Sequence, residues 1–147
     1  MFILDTNVVS ELLRPIAEPS VVGWVAARDA SHLFLTAVTE AELRFGVEIM
    51  PAGARRDAVG EAIDALLRED FAGRILPFDS PAAVAYAEFA AARRAAGRPA
   101  AHADAQIAAI ASVHRMSVVT RNVGDFAGAG LDIVNPWSAG EGDVARP

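Results

Sequence analysis

Short unbroken apolar runs alternate along this chain with longer stretches in which apolar residues recur every three or four positions. The first run, Phe2-Ile3-Leu4, is closed at once by Asp5-Thr6-Asn7. An apolar run ended by capping residues predicts a buried strand feeding a helix. Its lack of polar alternation is what a parallel sheet covered on both faces requires. Similar runs stand at Leu33 to Leu35, Ile75 to Phe78, Ser117 to Val119 and Leu131 to Val134.

The intervening stretches carry helical spacing. Asn7 to Leu13 predicts a helix stopped by Arg14-Pro15, and Ser20 predicts the cap of a second, with Val21, Trp24, Val25 and Arg28 on one face. Trp24 belongs to the core on this reading. From Thr36 to Met50 a third helix places Val38, Glu42, Phe45 and Ile49 together, capped by either Thr36 or Thr39. Pro51 to Gly53 turns the chain into an amphipathic helix, Arg55 to Glu69, with Val59, Ile63, Leu66 and Leu67 inward. Ser80-Pro81 predicts the start of a helix running to Ala96 and stopped by Gly97. Arg93, Arg94 and Arg98 cluster near its end. A last helix spans Pro99 to His114, with Asp104 near its start and Ile107, Ala108 and Ala111 on its inward face. Strands and helices alternating at such intervals predict an α/β fold: a central parallel sheet of four to five short strands covered by helices on both faces. The length of 147 residues suits one domain, without repeats or a dividing linker. That domain is expected to span 1–137, and the Gly-rich polar segment 138–147 to be a flexible tail.

Four polar loci share one description. Asp5 and the segment Thr120-Arg121-Asn122-Val123-Gly124-Asp125 follow buried strands, whereas Glu42 and Asp104 sit near helix starts. In a parallel α/β sheet, strand ends and the starts of the following helices lie on one edge, where such sheets place their ligands. Each acid also has an ordinary use: a cap for Asp5, a cap or a salt bridge to Arg44 or Arg14 for Glu42, and a favourable helix-dipole position for Asp104. Their convergence would change the chemistry. Two carboxylates at ~4 Å repel by about 4 kcal/mol at an effective dielectric near 20. Relief comes from a proton or from a cation.

Composition narrows the choice. Every cationic side chain is Arg, Cys is absent, and the net charge is −6. The absence of Cys excludes disulfides and thiolate metal sites and fits the cytoplasm. No secretion signal and no apolar stretch long enough to span a bilayer is expected, so no membrane partner is predicted. The acidic balance argues against bulk coating of nucleic acid. His102 and His114 lack partners at zinc-ligand spacing, and His32 has no assigned role. Oxygen ligands favour Mg²⁺ or Mn²⁺, an ion suited to phosphodiester hydrolysis.

Asp5-Thr6-Asn7 after a strand, Thr39 to Gly46, Asp104 before Ile107-Ala108-Ala109, Thr120-Arg121-Asn122 with Asp125-Phe126, and Asn135-Pro136-Trp137 together make the chain resemble the PIN-domain family, in particular its VapC toxins and FitB-like proteins, over about residues 2 to 137. The resemblance implies a single PIN-like domain and a Mg²⁺- or Mn²⁺-dependent ribonuclease toxin acting on RNA. Asp5, Glu42 and Asp104 match the metal-binding and catalytic acids. The family's fourth acid often lies two residues after the threonine ending the fourth strand. Here that position is Asn122, with Asp125 three residues on, and either completes the site. Thr6 and Thr120 would support the acids, and Arg44 and Arg121 are candidate phosphate contacts. The resemblance further implies a homodimer neutralised by a VapB/FitA-like antitoxin that inserts an arginine toward the acids, in a heterotetramer or larger assembly. Promoter DNA would be bound only through the antitoxin. An alternative is a FitB-like regulatory subunit whose acidic pocket receives the antitoxin's arginine with little or no nuclease activity. An aspartyl phosphatase would want an acid at position 7, where Asn7 stands.

Overall fold

The computed structural model describes residues 1–138. Five parallel strands form one sheet: β1 (Phe2–Leu4), β2 (Leu33–Thr36), β3 (Ile75–Leu76), β4 (Ser117–Val119) and β5 (Ile133–Val134), in the order β3-β2-β1-β4-β5. Strand β1 is central. Ile3 lies opposite both Phe34 and Val118, and Leu4 opposite Val119. The ladder continues past the strand ends, since the Asp5 amide donates to the Val119 carbonyl and the Thr120 amide to that of Val134, both at 2.9 Å. Asp5 and Thr120 are thereby held side by side at the carboxyl edge.

Among the described residues six α-helices connect the strands: α1 (Thr6–Leu12), α2 (Pro19–Ala26), α3 (Ala37–Glu48), α4 (Ala54–Ala65), α5 (Ser80–Ala95) and α6 (His102–His114). A π-helical turn, Leu66–Asp70, continues α4. Successive strand residues point to opposite faces, so Leu4 joins Val8, Val9, Trp24, Leu43, Ile63 and Leu67 on one side of the sheet. Ile3 joins Ile107, Ile110, Val118, Phe126 and Ile133 on the other. Both faces are covered, as the unalternating strands predict. No helix among the described residues is long and apolar enough to cross a membrane.

Several local expectations are corrected. The cap of α2 is not Ser20, whose hydroxyl is buried without a hydrogen-bond partner among the described residues. Pro19 opens that helix, and Glu18 is held ahead of it by its amide on Glu11 Oε1. Asp79 rather than Ser80 caps α5, accepting from the Ala82 amide at 3.1 Å. Thr36, not Thr39, caps α3, which sets Glu42 in the second turn. β3 stops at Leu76, short of Phe78.

The largest correction concerns α3. Its buried side carries Thr39 and Leu43, with Val47 packed against the core. The stripe Val38, Glu42, Phe45 and Ile49 is one residue out of phase, a rotation of about 100°. Phe45 and Ile49 are 65% and 66% exposed, and Glu42 is exposed with them. Glu42 is therefore a solvent-facing carboxylate at the rim of the sheet edge. The expected tail, 138–147, lies outside the described residues except for Ser138, which ends a 3-10 turn from Pro136.

Candidate metal and nucleic-acid site

Asp5 sits where β1 ends and α1 begins, its backbone extended and its side chain capping the helix by accepting from the Thr6 amide at 2.8 Å. Its second oxygen, Oδ2, accepts from the Thr120 hydroxyl at 2.8 Å and from the Asn7 amide nitrogen at 3.1 Å. The residue is 4% exposed. Burial raises its pKa above the ordinary value, the hydrogen bonds from Thr120 and Thr6 oppose the rise, and the charges of Glu42 and Asp125 add to it. Capping, the ordinary use of an Asp at this point, thus coexists with a place in the site.

Asn7 organises what lies around that carboxylate. Its Nδ2 also lies 3.2 Å from the Thr120 hydroxyl, and its Oδ1 accepts from the Arg121 amide at 3.3 Å. The Thr120 oxygen accepts in turn from the Asn122 amide at 3.0 Å. One amide side chain on α1 therefore binds the first acid to the loop after β4. Glu42 is held separately: the Thr6 hydroxyl donates to its Oε1 at 2.7 Å and lies 3.0 Å from that of Thr39.

Asp104, in the first turn of α6, is half-buried. Its pKa is pushed up to about 6, first by burial, then by the negative charges of Asp5, Asp125 and Glu42, with Arg93 pulling the other way. Arg93 is committed elsewhere, donating to the carbonyls of Gly124 and Ala127 at 3.1 Å and so tying α5 to the loop that carries Asp125.

Asp5, Glu42 and Asp104 line one cleft of about 570 Å³, together with Asn122, Arg121 and Trp137. Asp125 is exposed just ahead of buried Phe126 and does not line the cleft, although Asp5 and Asp104 feel its charge. Arg44 is not there. It is paired with Glu40 and Asp64, each at 2.9 Å, against a separate cavity between α3 and α4. Of the two candidate phosphate contacts, Arg121 lines the cleft of the acids and Arg44 does not. Arg14 also lines the cleft but lies 3.3 Å from Glu11.

Carboxylate oxygens, an amide carbonyl at Asn122 and hydroxyls make a hard donor set, and no cation neutralises Asp5, Glu42 or Asp104 by an ion pair among the described residues. That donor set suits a divalent cation such as Mg²⁺. Among the described residues no three acidic or histidine side chains stand together at ligand spacing. Mg²⁺ commonly takes one or two carboxylates and keeps its waters, so a single acid or a pair here meets its needs.

Sequence reasoning passed over Asn7, Thr39 and Trp137 as working parts of this edge. The signal for Asn7 was its position, two residues past the strand-ending acid in the first turn of α1, where a polar side chain faces back to the sheet edge.

The PIN domain matches residues 2–128 as a family. The chain is 43% identical over 137 residues to the VapC ribonuclease Y4jK of Sinorhizobium fredii, covering 93% of this chain and 98% of that protein. It is 41% identical to Toxin FitB of Neisseria gonorrhoeae over 137 residues, 93% of this chain and 99% of the toxin. A solved structure described as FitAB bound to an IR36 DNA fragment superposes with a TM-score of 0.87 at 41% identity, covering 93% of this chain and 96% of the other.

Proposed function

The chain belongs to the PIN-domain family, alongside VapC and FitB toxins, and from that premise we propose that it is a Mg²⁺- or Mn²⁺-dependent endoribonuclease toxin hydrolysing RNA phosphodiester bonds. The observation that carries the reading is the gathering of Asp5, Glu42 and Asp104, from three separate elements, along one cleft with no ion pair to a cation among the described residues. The relative named as a VapC ribonuclease supports the same chemistry.

In this reading one or two of Asp5, Glu42 and Asp104 would hold the ion directly, and the remaining acid with Asn122 or Asp125 would meet it through its waters. The bound ion supplies water activation and neutralises charge developing at phosphorus. Thr6 and Thr120 keep Glu42 and Asp5 oriented through their hydroxyls. Holding the ion requires Asp104 to be ionised, against a pKa of about 6 without it.

The proposed partners are RNA as substrate, a second copy of the chain, and a VapB/FitA-like antitoxin whose arginine meets the acids. Promoter DNA is reached only through that antitoxin, and the setting is cytoplasmic. The FitAB assembly on DNA supports this arrangement. The test is cleavage of a panel of transfer and ribosomal RNAs by protein stripped of antitoxin. Mg²⁺-dependent cleavage by wild type and none by Asp5→Asn is expected; no cleavage by either, with both harmless in cells, overturns the reading.

One observation favours a second reading. The position where the family often has a fourth acid is the neutral Asn122, which suits a regulatory subunit whose acids chiefly receive an antitoxin's arginine. Growth arrest on expression of the chain alone separates a nuclease from such a subunit.

A further inference from the structure

The acids account for one part of the cleft and leave another unexplained. Arg121 follows the strand-ending Thr120, and Trp137 belongs to the Asn135-Pro136-Trp137 segment after β5. Both line the same cleft as Asp5 and Asp104. The Arg121 guanidinium lies 5.3 Å from the centre of the Trp137 ring, within cation–π range. Its position is set from behind, because its own amide donates to Asn7, the residue that also holds Asp5. The indole is half-buried against the core, and the Trp137 amide is fixed on Asn135 Oδ1 at 3.0 Å.

The charge around this pair is informative. Among the described residues Arg14 and Arg121 are the cations that line the cleft, and Arg14 is engaged with Glu11. Arg121 makes no hydrogen bond or ion pair through its guanidinium among the described residues, so its donors are open to a ligand. A planar guanidinium offers paired donors that match phosphate geometry. An aromatic face beside a cation is how nonspecific single-strand binders hold successive nucleotides. A basic partner segment, by contrast, would be drawn to the acids and repelled by Arg121.

We infer that Arg121 and Trp137 form a nucleotide anchor beside the acids, Arg121 taking a backbone phosphate of single-stranded RNA and the Trp137 ring holding the guanidinium in place. The inference rests on the nuclease reading and adds the part of the enzyme that holds the strand. It makes Arg121 a binding residue and Trp137 a positioning residue, neither of them a metal ligand.

The full chain is measured in two ways. Affinity for a short labelled single-stranded RNA is read in EDTA as a function of salt, and cleavage of the same RNA is read in Mg²⁺ as kcat and KM. Arg121→Ala is expected to weaken binding about tenfold and to lower the salt slope by about 0.7, the share of one phosphate contact on a single strand. In Mg²⁺ it raises KM about tenfold with kcat within about twofold. Arg121→Lys restores the salt slope but not the full affinity, since an ammonium lacks the planar stack. Trp137→Phe, which keeps a ring against the core, is expected to weaken binding about threefold with the salt slope intact. Arg55→Ala, an exposed cation on α4 away from the cleft, is the control and changes none of these.

Arg121→Ala behaving like Arg55→Ala in the binding measurement overturns the anchor. So does an Arg121→Ala protein with normal RNA parameters that has lost affinity for a partner protein, which would make the pair a docking point for an acidic segment. Wild type that binds RNA with the expected Arg121 dependence but does not cleave it upholds the anchor and overturns the nuclease reading alone.

Discussion

The Nδ2 of Asn7 lies 3.1 Å from Asp5 Oδ2 and 3.2 Å from the Thr120 hydroxyl, so one uncharged side chain satisfies the acid at the end of β1 and its neighbour at the end of β4. Buried polar groups that lose a partner cost more than the bond was worth. Asn7→Ala is expected to destabilise the fold by about 1–3 kcal/mol and to reduce RNA cleavage by about 10- to 100-fold, the usual range for residues that orient ligands from behind. Asn7→Asp separates the two effects, since it keeps the size but sets a second carboxylate beside Asp5 and raises the repulsion. Urea unfolding and initial cleavage rates measured on both variants check this; unchanged cleavage in both would mean that Asp5 is oriented without Asn7.

Much of this architecture can be read from the chain because parallel topology does the sorting. Once the runs at Phe2, Leu33, Ser117 and Leu131 are strands and the stretches between are helices, Asp5, Glu42 and Asp104 must come to one edge. The failures are local and have physical causes. Two adjacent capping residues, Asp79 and Ser80, compete for one helix start, and only the amide geometry at Ala82 decides between them. The face of α3 depends on what packs against it: Leu43 and Phe45 are both apolar, and the core chose Leu43. Arg44 was weighed as a partner of Glu42, but it pairs with Glu40 one turn back and with Asp64, 20 positions away on α4. Asn7 was weighed only as the missing second acid of a phosphatase, although its amide is what a crowded acid needs when no cation is built in.

Asp104 ties stability to pH. Its native pKa of about 6 exceeds the ordinary 3.8, so the folded chain binds a proton that the unfolded chain releases between those values. The associated stability is fully present below pH ~4 and is lost as pH rises through about 6. A shift of this size would correspond to about 3 kcal/mol. Because Asp104 is only half-buried, screening reduces the expected effect to about 1 kcal/mol. Metal-free Asp104→Asn is therefore expected to be more stable than wild type at pH 7.5 by about that amount and equal to it near pH 4. Denaturant titrations at the two pH values measure it, and a difference that grows toward pH 4 would contradict the sign.

A divalent ion competes with that proton. At pH 7.5, Mg²⁺ at about 100 times its dissociation constant should add about 2.7 kcal/mol to the unfolding free energy. At pH 5, where Asp104 is protonated, the same Mg²⁺ should add distinctly less. Thermal unfolding with Mg²⁺ or EDTA at both pH values tests this. Asp5→Asn is expected to abolish most of the Mg²⁺ effect at either pH, and full stabilisation of that variant would place the ion away from Asp5.

The two faces of α3 have different duties, and substitutions distinguish them. Leu43 is 6% exposed against Val8, Trp24 and Ile63, and truncating it to Ala should cost about 2–4 kcal/mol through lost burial and the cavity left behind. Phe45, two residues on, is 65% exposed, and Phe45→Ala should change monomer stability by no more than about 0.5 kcal/mol. The consequence for the site follows from Thr39, which lies on the buried side with Leu43 while its hydroxyl meets Thr6 beside Glu42. Leu43→Ala lets α3 shift against the core and should lower cleavage more than its loss of stability explains, because Glu42 moves with the helix. Phe45→Ala leaves Glu42 where it is and should cleave RNA at close to the wild-type rate per folded molecule. Rates normalised to the folded fraction, read beside urea unfolding curves, decide the matter: equal rates for the two variants would show that the position of Glu42 does not depend on how α3 is seated.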